Sequence, residues 1–144
     1  MGYDPYASTA PDGVQQVDEL DDLLAMSDVV SLHLPVTDET RGLIDSGRLA
    51  RMRPSAILVN TSRGALVRTA DLAAALAAGR IGGAAVDVLE REAADAAAIA
   101  GLSGAIVTPH MAFYSESSLR ESQRKATTQV IKVLSGRTPD YAVS

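Results

Sequence analysis

Four short, mostly apolar runs recur along the chain at residues 29–32, 56–60, 84–88 and 106–108, separated by segments that read as helices. Strands that are apolar almost throughout, rather than alternating, imply a parallel sheet with helices on both faces. The helical segments carry their own punctuation. Asp18 is placed to cap a helix bearing Leu20, Leu23, Leu24 and Met26, with acidic residues in its first turn. Thr37-Asp38-Glu39-Thr40 is suited to start a helical turn within 37–44, and a short amphipathic helix over 46–52 ends before Pro54. Residues 71–78 are helical, started by Thr69 and closed by Gly79. Ser115 caps a long helix reaching Leu134, stopped by Gly136 and Pro139. At the front, the residues before Asp4-Pro5 read as the tail of a strand, and 14–17 as a weak second one. The alanine-rich stretch 91–103 fits either a helix or a loose loop.

Composition narrows the functional classes. At 144 residues, 47% hydrophobic and 22% charged, the chain has the make-up of a soluble globular protein with a real core. A formal charge of −5 with no basic stripe argues against nucleic acid as a partner. No cysteine is present, so disulfide and thiol chemistry are excluded, and two histidines without a Cys/His cluster make a metal site an expected absence. The start, Met-Gly-Tyr-Asp-Pro-Tyr, is not a signal peptide, and no apolar run approaches the ~20 residues that span a bilayer. A cytoplasmic location without a membrane partner is the simplest expectation.

Charged residues punctuate the ends of the apolar runs. Arg63 follows 56–60, Asp87 and Glu92 follow or end 84–88, and His110 follows 106–108. In open α/β sheets ligands bind just outside the carboxyl ends of the strands, so a guanidinium, carboxylates and an imidazole would meet at one edge. Arg63 offers a planar fork for a carboxylate, or is a surface arginine on a polar loop; Gly64 beside it would allow close ligand approach. Asp87 needs donors if it is buried, or caps nearby backbone. Glu90 and Glu92 alternate in register, so only one need enter the site. His110 suits acid–base work near neutral pH, or is a lone surface or core histidine. His33, with no carboxylate suggested beside it, reads as structural. Asp4 could accept hydrogen bonds from a ribose diol, or merely form an Asp-Pro turn.

Gly2-Tyr3-Asp4-Pro5, Ser31-Leu32-His33-Leu34-Pro35-Val36-Thr37 with Glu39-Thr40, Met52-Arg53-Pro54, Val59 to Gly64, Gly79-Arg80-Ile81, Ala84 to Val88 and Thr108-Pro109-His110 form an ordered set. Together they resemble the D-isomer-specific 2-hydroxyacid dehydrogenases. Gly2-Tyr3-Asp4-Pro5-Tyr6 and His110-Met111-Ala112-Phe113-Tyr114-Ser115 are similar to the C-terminal-binding-protein-like branch, within phosphoglycerate dehydrogenase-like sequences. The resemblance implies a Rossmann-type doubly wound parallel sheet that binds NAD and reduces 2-oxo acids to D-2-hydroxy acids. Arg63 would bind the substrate carboxylate and carbonyl, His110 would protonate the carbonyl oxygen, and Glu92 would hold His110. Asp87 would take the nicotinamide carboxamide and Asp4 the adenosine ribose, favouring NAD over NADP. Leu34, Pro35, Thr40, Thr61 and Ser62 would line the cofactor, and Phe113 the substrate side. The resemblance also implies a homodimer. A corepressor-like NAD-binding or interaction module is the alternative.

Two departures from the family pattern shape the expectation. Ala93 stands where the family usually has proline after its glutamate, which implies a softer loop and a less firmly aimed Glu92. No G-x-G-x-x-G occurs ahead of Asp4, where the pyrophosphate cradle belongs. The chain therefore reads as an incomplete Rossmann sheet lacking its first strand and glycine-rich loop. Residues 1–115 would be the partial NAD-binding domain and 116–144 a C-terminal helix and tail returning to a separate substrate domain. Such a truncated chain is expected to be inactive alone.

Overall fold

The computed structural model describes residues 1–142. Two compact units divide at His110 and Met111. In the first, helix α1 (Leu20–Met26) leads into strand β1 (Val29–Leu32), and α2 (Ser46–Leu49) into β2 (Ile57–Asn60). A 3-10 turn at Gly64–Leu66 and α3 (Thr69–Ala77) then precede β3 (Gly83–Val86), and α4 (Glu92–Ile99) precedes β4 (Ala105–Val107). The four strands form one parallel sheet in the order β1-β2-β3-β4. Consecutive parallel strands require crossovers, and helices supply them. The α/β parallel architecture is therefore the one expected.

Side chains point alternately through the sheet, and the two faces differ. Val30, Leu32, Leu58, Asn60, Ala84 and Val86 are buried, and join Leu24, Ile44, Leu49, Leu66, Leu72 and Ile99 in the core apart from Asn60. In the adjacent register rows, Val29, Ile57 and Ile106 remain 58%, 42% and 64% exposed. Cover on both faces is thus not complete at these positions, although the sequence pattern implied it. The pattern could not show this, because an apolar strand residue reads the same on either face.

Local boundaries shift for identifiable reasons. The two expected front strands reduce to one parallel bridge between Gly2 and Gln16, held by Gly2 N–H to Gln15 O (2.9 Å) and Val17 N–H to Gly2 O (3.0 Å). Glu19, not Asp18, is the residue flanking α1, and its side chain makes no cap bond. Residues 37–44 make the expected helical turn but stop there: Arg41 N–H donates to Thr37 O (3.0 Å), and Thr37 N–H to Thr40 Oγ1 (2.7 Å) with Thr40 N–H to Thr37 Oγ1 (3.3 Å) frames its start in the reciprocal manner of a capping box, before Ile44 bridges to Val67. Helix α2 is shorter than expected and starts from Asp45, whose side chain accepts from Arg48 N–H at 2.9 Å. Thr69 lies inside α3 as its first residue, Asp87 and Val88 lie beyond β3, and β4 begins one residue earlier than read, at Ala105. The alanine-rich stretch resolves as a helix, α4.

The second unit carries α5 (Glu116–Leu134), which starts with the expected cap. Ser115 accepts from Ser118 N–H (3.0 Å) while Ser118 Oγ accepts from Ser115 N–H (2.9 Å), a complete capping box. Gly136, at φ +71°, follows its C-terminal end.

Substitutions on the two sheet faces separate these environments. Leu58→Ala is expected to cost about 3 kcal/mol, as for a fully buried leucine. Ile57→Ala, one residue away on the other face, is expected to cost less than about 1 kcal/mol. Urea unfolding of both variants measures the contrast; equal losses would contradict the face assignment.

Candidate active site

The site is built by lacing together the loops that leave the carboxyl ends of the strands. Asn60, fully buried at the end of β2, donates from Nδ2 to Arg63 O (2.9 Å) and accepts from Ser62 N–H (3.1 Å). Those two bonds shape the loop that carries Arg63. Ser62 Oγ donates to Leu32 O (2.8 Å), fastening this loop to the end of β1. On its other side, Asp87 N–H donates to Asn60 O (2.9 Å), Thr108 N–H to Val86 O (3.0 Å), and His110 N–H to Asp87 O (2.9 Å). Backbone pairing thus continues past the strand ends as far as His110.

Gly64 has a structural task different from the one expected. A Cβ built there would fall on the Leu89–Glu90 peptide. The glycine admits the chain's own backbone, from the loop after β3, rather than a ligand. This close approach fixes the Arg63 loop against the segment leading to Glu92.

His110 is the only non-glycine among the described residues with a positive φ, +53°. Histidine tolerates the left-handed region better than most residues, yet such conformations carry strain and gather at functional sites. Its Nδ1 lies 3.4 Å from Glu92 Oε1, and both side chains are more than half exposed. That distance makes the pair a loose one at the outer limit of a hydrogen bond. Glu92, Asp87 and His110 share a groove of about 290 Å³ with Leu89, Val107 and Thr108. Asp87 is buried, and one of its carboxylate oxygens accepts from the Thr108 hydroxyl. Glu90 turns elsewhere, to Arg41 at 3.0 Å, so the two glutamates do point differently.

Arg63 stands outside this groove. It is exposed, with Nη1 donating to Ser62 O at 2.7 Å. It follows β2 while His110 follows β4, so their backbones stand about 10 Å apart at roughly 4.8 Å per strand spacing. A small molecule could span such a gap with a long arginine side chain reaching in. Leu34 is partly buried against the core. Pro35 O accepts from the Thr40 hydroxyl (2.8 Å), and Thr61 is exposed. Asp4 Oδ1 accepts from Tyr6 N–H (2.9 Å), the Asx-type turn that was the plainer reading of Asp-Pro. His33 Nε2 pairs with Ser31 Oγ (2.8 Å), in keeping with a structural role. Phe113 lies in the second unit, exposed and edge-to-face with Tyr114 at 6.4 Å.

Residues 1–112 match the family model for the D-isomer specific 2-hydroxyacid dehydrogenase, NAD binding domain. The chain belongs to that family. D-3-phosphoglycerate dehydrogenase of Mycobacterium tuberculosis strain H37Rv is 41% identical over 132 residues, which are 90% of this chain and 24% of that protein. The crystal structure of a D-lactate dehydrogenase from Treponema pallidum superposes with a TM-score of 0.91 at 32% identity, covering 99% of this chain and 47% of the other. D-lactate dehydrogenase with NAD+ from Lactobacillus jensenii gives 0.88 at 30% identity, again over 99% and 47%. The chain thus spans about a quarter of the length of the curated relative and about half of each of those solved chains. Among the described residues, no helix is long and apolar enough to cross a membrane, and no cluster of His, Cys, Asp and Glu could hold a metal ion.

Two contributors escaped sequence reading. Asn60 was seen only as the end of an apolar run; a buried amide closing a strand in front of a polar loop was the available signal. Asp95 has no distinguishing signal inside the alanine-rich stretch, yet it is 3% exposed and bonds to Thr69 and Arg91. Gly64→Ala should therefore destabilise the unit by at least about 2 kcal/mol, the cost of forcing atoms into packed backbone. Chemical denaturation measures it; a neutral result would show that the two loops can part freely.

Proposed function

We propose that the protein carrying this chain is an NAD-dependent oxidoreductase interconverting small 2-oxo acids and D-2-hydroxy acids, with Arg63, Glu92 and His110 at its reacting end. The observation that carries this reading is the His110 imidazole, set on a strained backbone, with Nδ1 toward Glu92 and in the groove that holds Asp87. With Nδ1 engaged, Nε2 is the nitrogen that would exchange a proton with substrate. Family membership and the relatives' dehydrogenase names support the reaction class.

Bound NAD would exchange hydride at the carbonyl carbon. The chain's own groups do the rest. Protonated His110 donates to the carbonyl oxygen as negative charge develops there, and Glu92 stabilises the imidazolium. Arg63 offers the paired N–H groups that match a carboxylate, and so would anchor the acid end of the substrate. The nicotinamide end of the cofactor fits the residues present: Asp87 is a buried carboxylate at the groove, able to accept from a carboxamide. Asp4, Leu34, Pro35, Thr40, Thr61 and Ser62 would lie along the cofactor, and Phe113 beside the substrate. Ser62 would act there through its backbone, since its hydroxyl is bonded to Leu32 O. Dimeric assembly in the manner of the family belongs to the same reading.

The sign of the pH dependence follows from the proton count. Reduction consumes the proton that His110 donates, whereas oxidation requires neutral His110 to accept one. Rising pH should therefore slow reduction and favour oxidation. In the protein carrying this chain, Arg63→Ala and His110→Asn should each lower kcat/KM for 2-oxo acid reduction by roughly a hundredfold or more, with NADH affinity kept within a few-fold. Steady-state rates and NADH titration measure both quantities. Undiminished turnover in either variant would remove that residue from the reaction.

A further inference from the structure

Glu92 is the first residue of α4 rather than part of a loop. That helix is Glu92-Ala-Ala-Asp95-Ala-Ala-Ala-Ile99, so Asp95 and Glu92 are its only polar side chains. Five alanines can form no side-chain hydrogen bond that fixes where the helix begins. Ile99, one turn beyond Asp95, is fully buried in the core.

Asp95 supplies the missing tie. Its Oδ2 accepts from Thr69 Oγ1 on α3 (3.0 Å) and from Arg91 N–H (3.0 Å); its Oδ1 accepts from Arg91 Nη2 (2.9 Å). In return, Asp95 N–H donates to Arg91 O (2.9 Å). The residue next to Glu92 is thereby bonded to Asp95 through both its backbone N–H and its backbone C=O, and the same carboxylate is pinned to a neighbouring helix. Burial pushes the Asp95 carboxyl up, but the Arg91 N–H, the Thr69 hydroxyl and the Arg91 guanidinium outweigh it and hold it below the usual carboxylate range. The ion pair itself adds little, since the Arg91 side chain is 75% exposed; the backbone and hydroxyl bonds set the geometry.

We propose that Asp95 is the positioning residue of this site: by locking the start of α4 to α3, it sets the direction from which Glu92 meets His110. The inference rests on the reading of Glu92 and His110 given above. It goes further by assigning the aim of that pair to a buried carboxylate that touches neither substrate nor cofactor.

The chain has only two histidines, so the imidazole nitrogens can be read one by one in a ¹⁵N-labelled sample at a pH where both are neutral. Glu92 beside Nδ1 favours the Nδ1–H tautomer of His110, whereas an imidazole without such a partner favours Nε2–H. Glu92→Ala should convert His110 largely to Nε2–H and leave His33 unchanged. Asp95→Asn, which can no longer accept all three hydrogen bonds, should shift His110 in the same direction, with loss of most of its Nδ1–H population and His33 again unchanged. A folded Asp95→Asn chain with a lowered melting temperature but the wild-type tautomer would overturn the proposal, leaving Asp95 a purely structural cap. If Asp95→Asn fails to fold, Thr69→Val removes a single bond from the carboxylate, and the same two outcomes decide. No tautomer change in Glu92→Ala would instead sink the Glu92–His110 pairing itself, a failure seen independently of Asp95.

Discussion

Direct register between parallel strands is the constraint from which the site follows. Leu32 pairs with Asn60 and Asn60 with Val86, while Val107 pairs with Val86 in turn, so the strands end along one line. A parallel ladder has slanted bonds that reach from one residue to its neighbour's flank. Here the slant runs on beyond the last strand residues, from Asn60 O to Asp87 N–H and from Asp87 O to His110 N–H. The same peptide groups that finish the sheet therefore locate the groove. A shift of one residue in any strand would turn its side chains to the other face and carry the following loop with it.

Much of this was legible beforehand because it depends on composition over short windows. Apolar runs identified the strands, and Ser115 with Gly136 bracketed α5. What was not legible depends on burial and on partners remote in sequence. Asn60 bonds within its own loop, and its burial is what marks it out; Asp95 gains Thr69, 26 residues away, only on folding. Gly64 reveals its neighbour, the Leu89–Glu90 peptide, only in three dimensions. Thr37-Asp38-Glu39-Thr40 was legible as a helical start because its signal is local; that the turn ends at once was not.

The candidate site divides by rigidity. His110, Asp87 and the start of α4 are held by backbone bonds and buried carboxylates. Arg63 is held by its loop, and among the described residues its guanidinium bonds to the adjacent Ser62 carbonyl alone. In the proposed reaction, this would pair a closely held proton donor with a more adaptable anchor for the acid end.

The left-handed backbone at His110 also bears on how this position can change over time. Glycine and asparagine are comfortable at such a φ, and β-branched residues are not. Drift at this position is therefore channelled by chain geometry as well as by chemistry. A lineage that lost the imidazole would most easily settle on a small or amide side chain and keep the groove's outline. The conformation thus constrains the sequence here independently of the chemistry proposed for the imidazole.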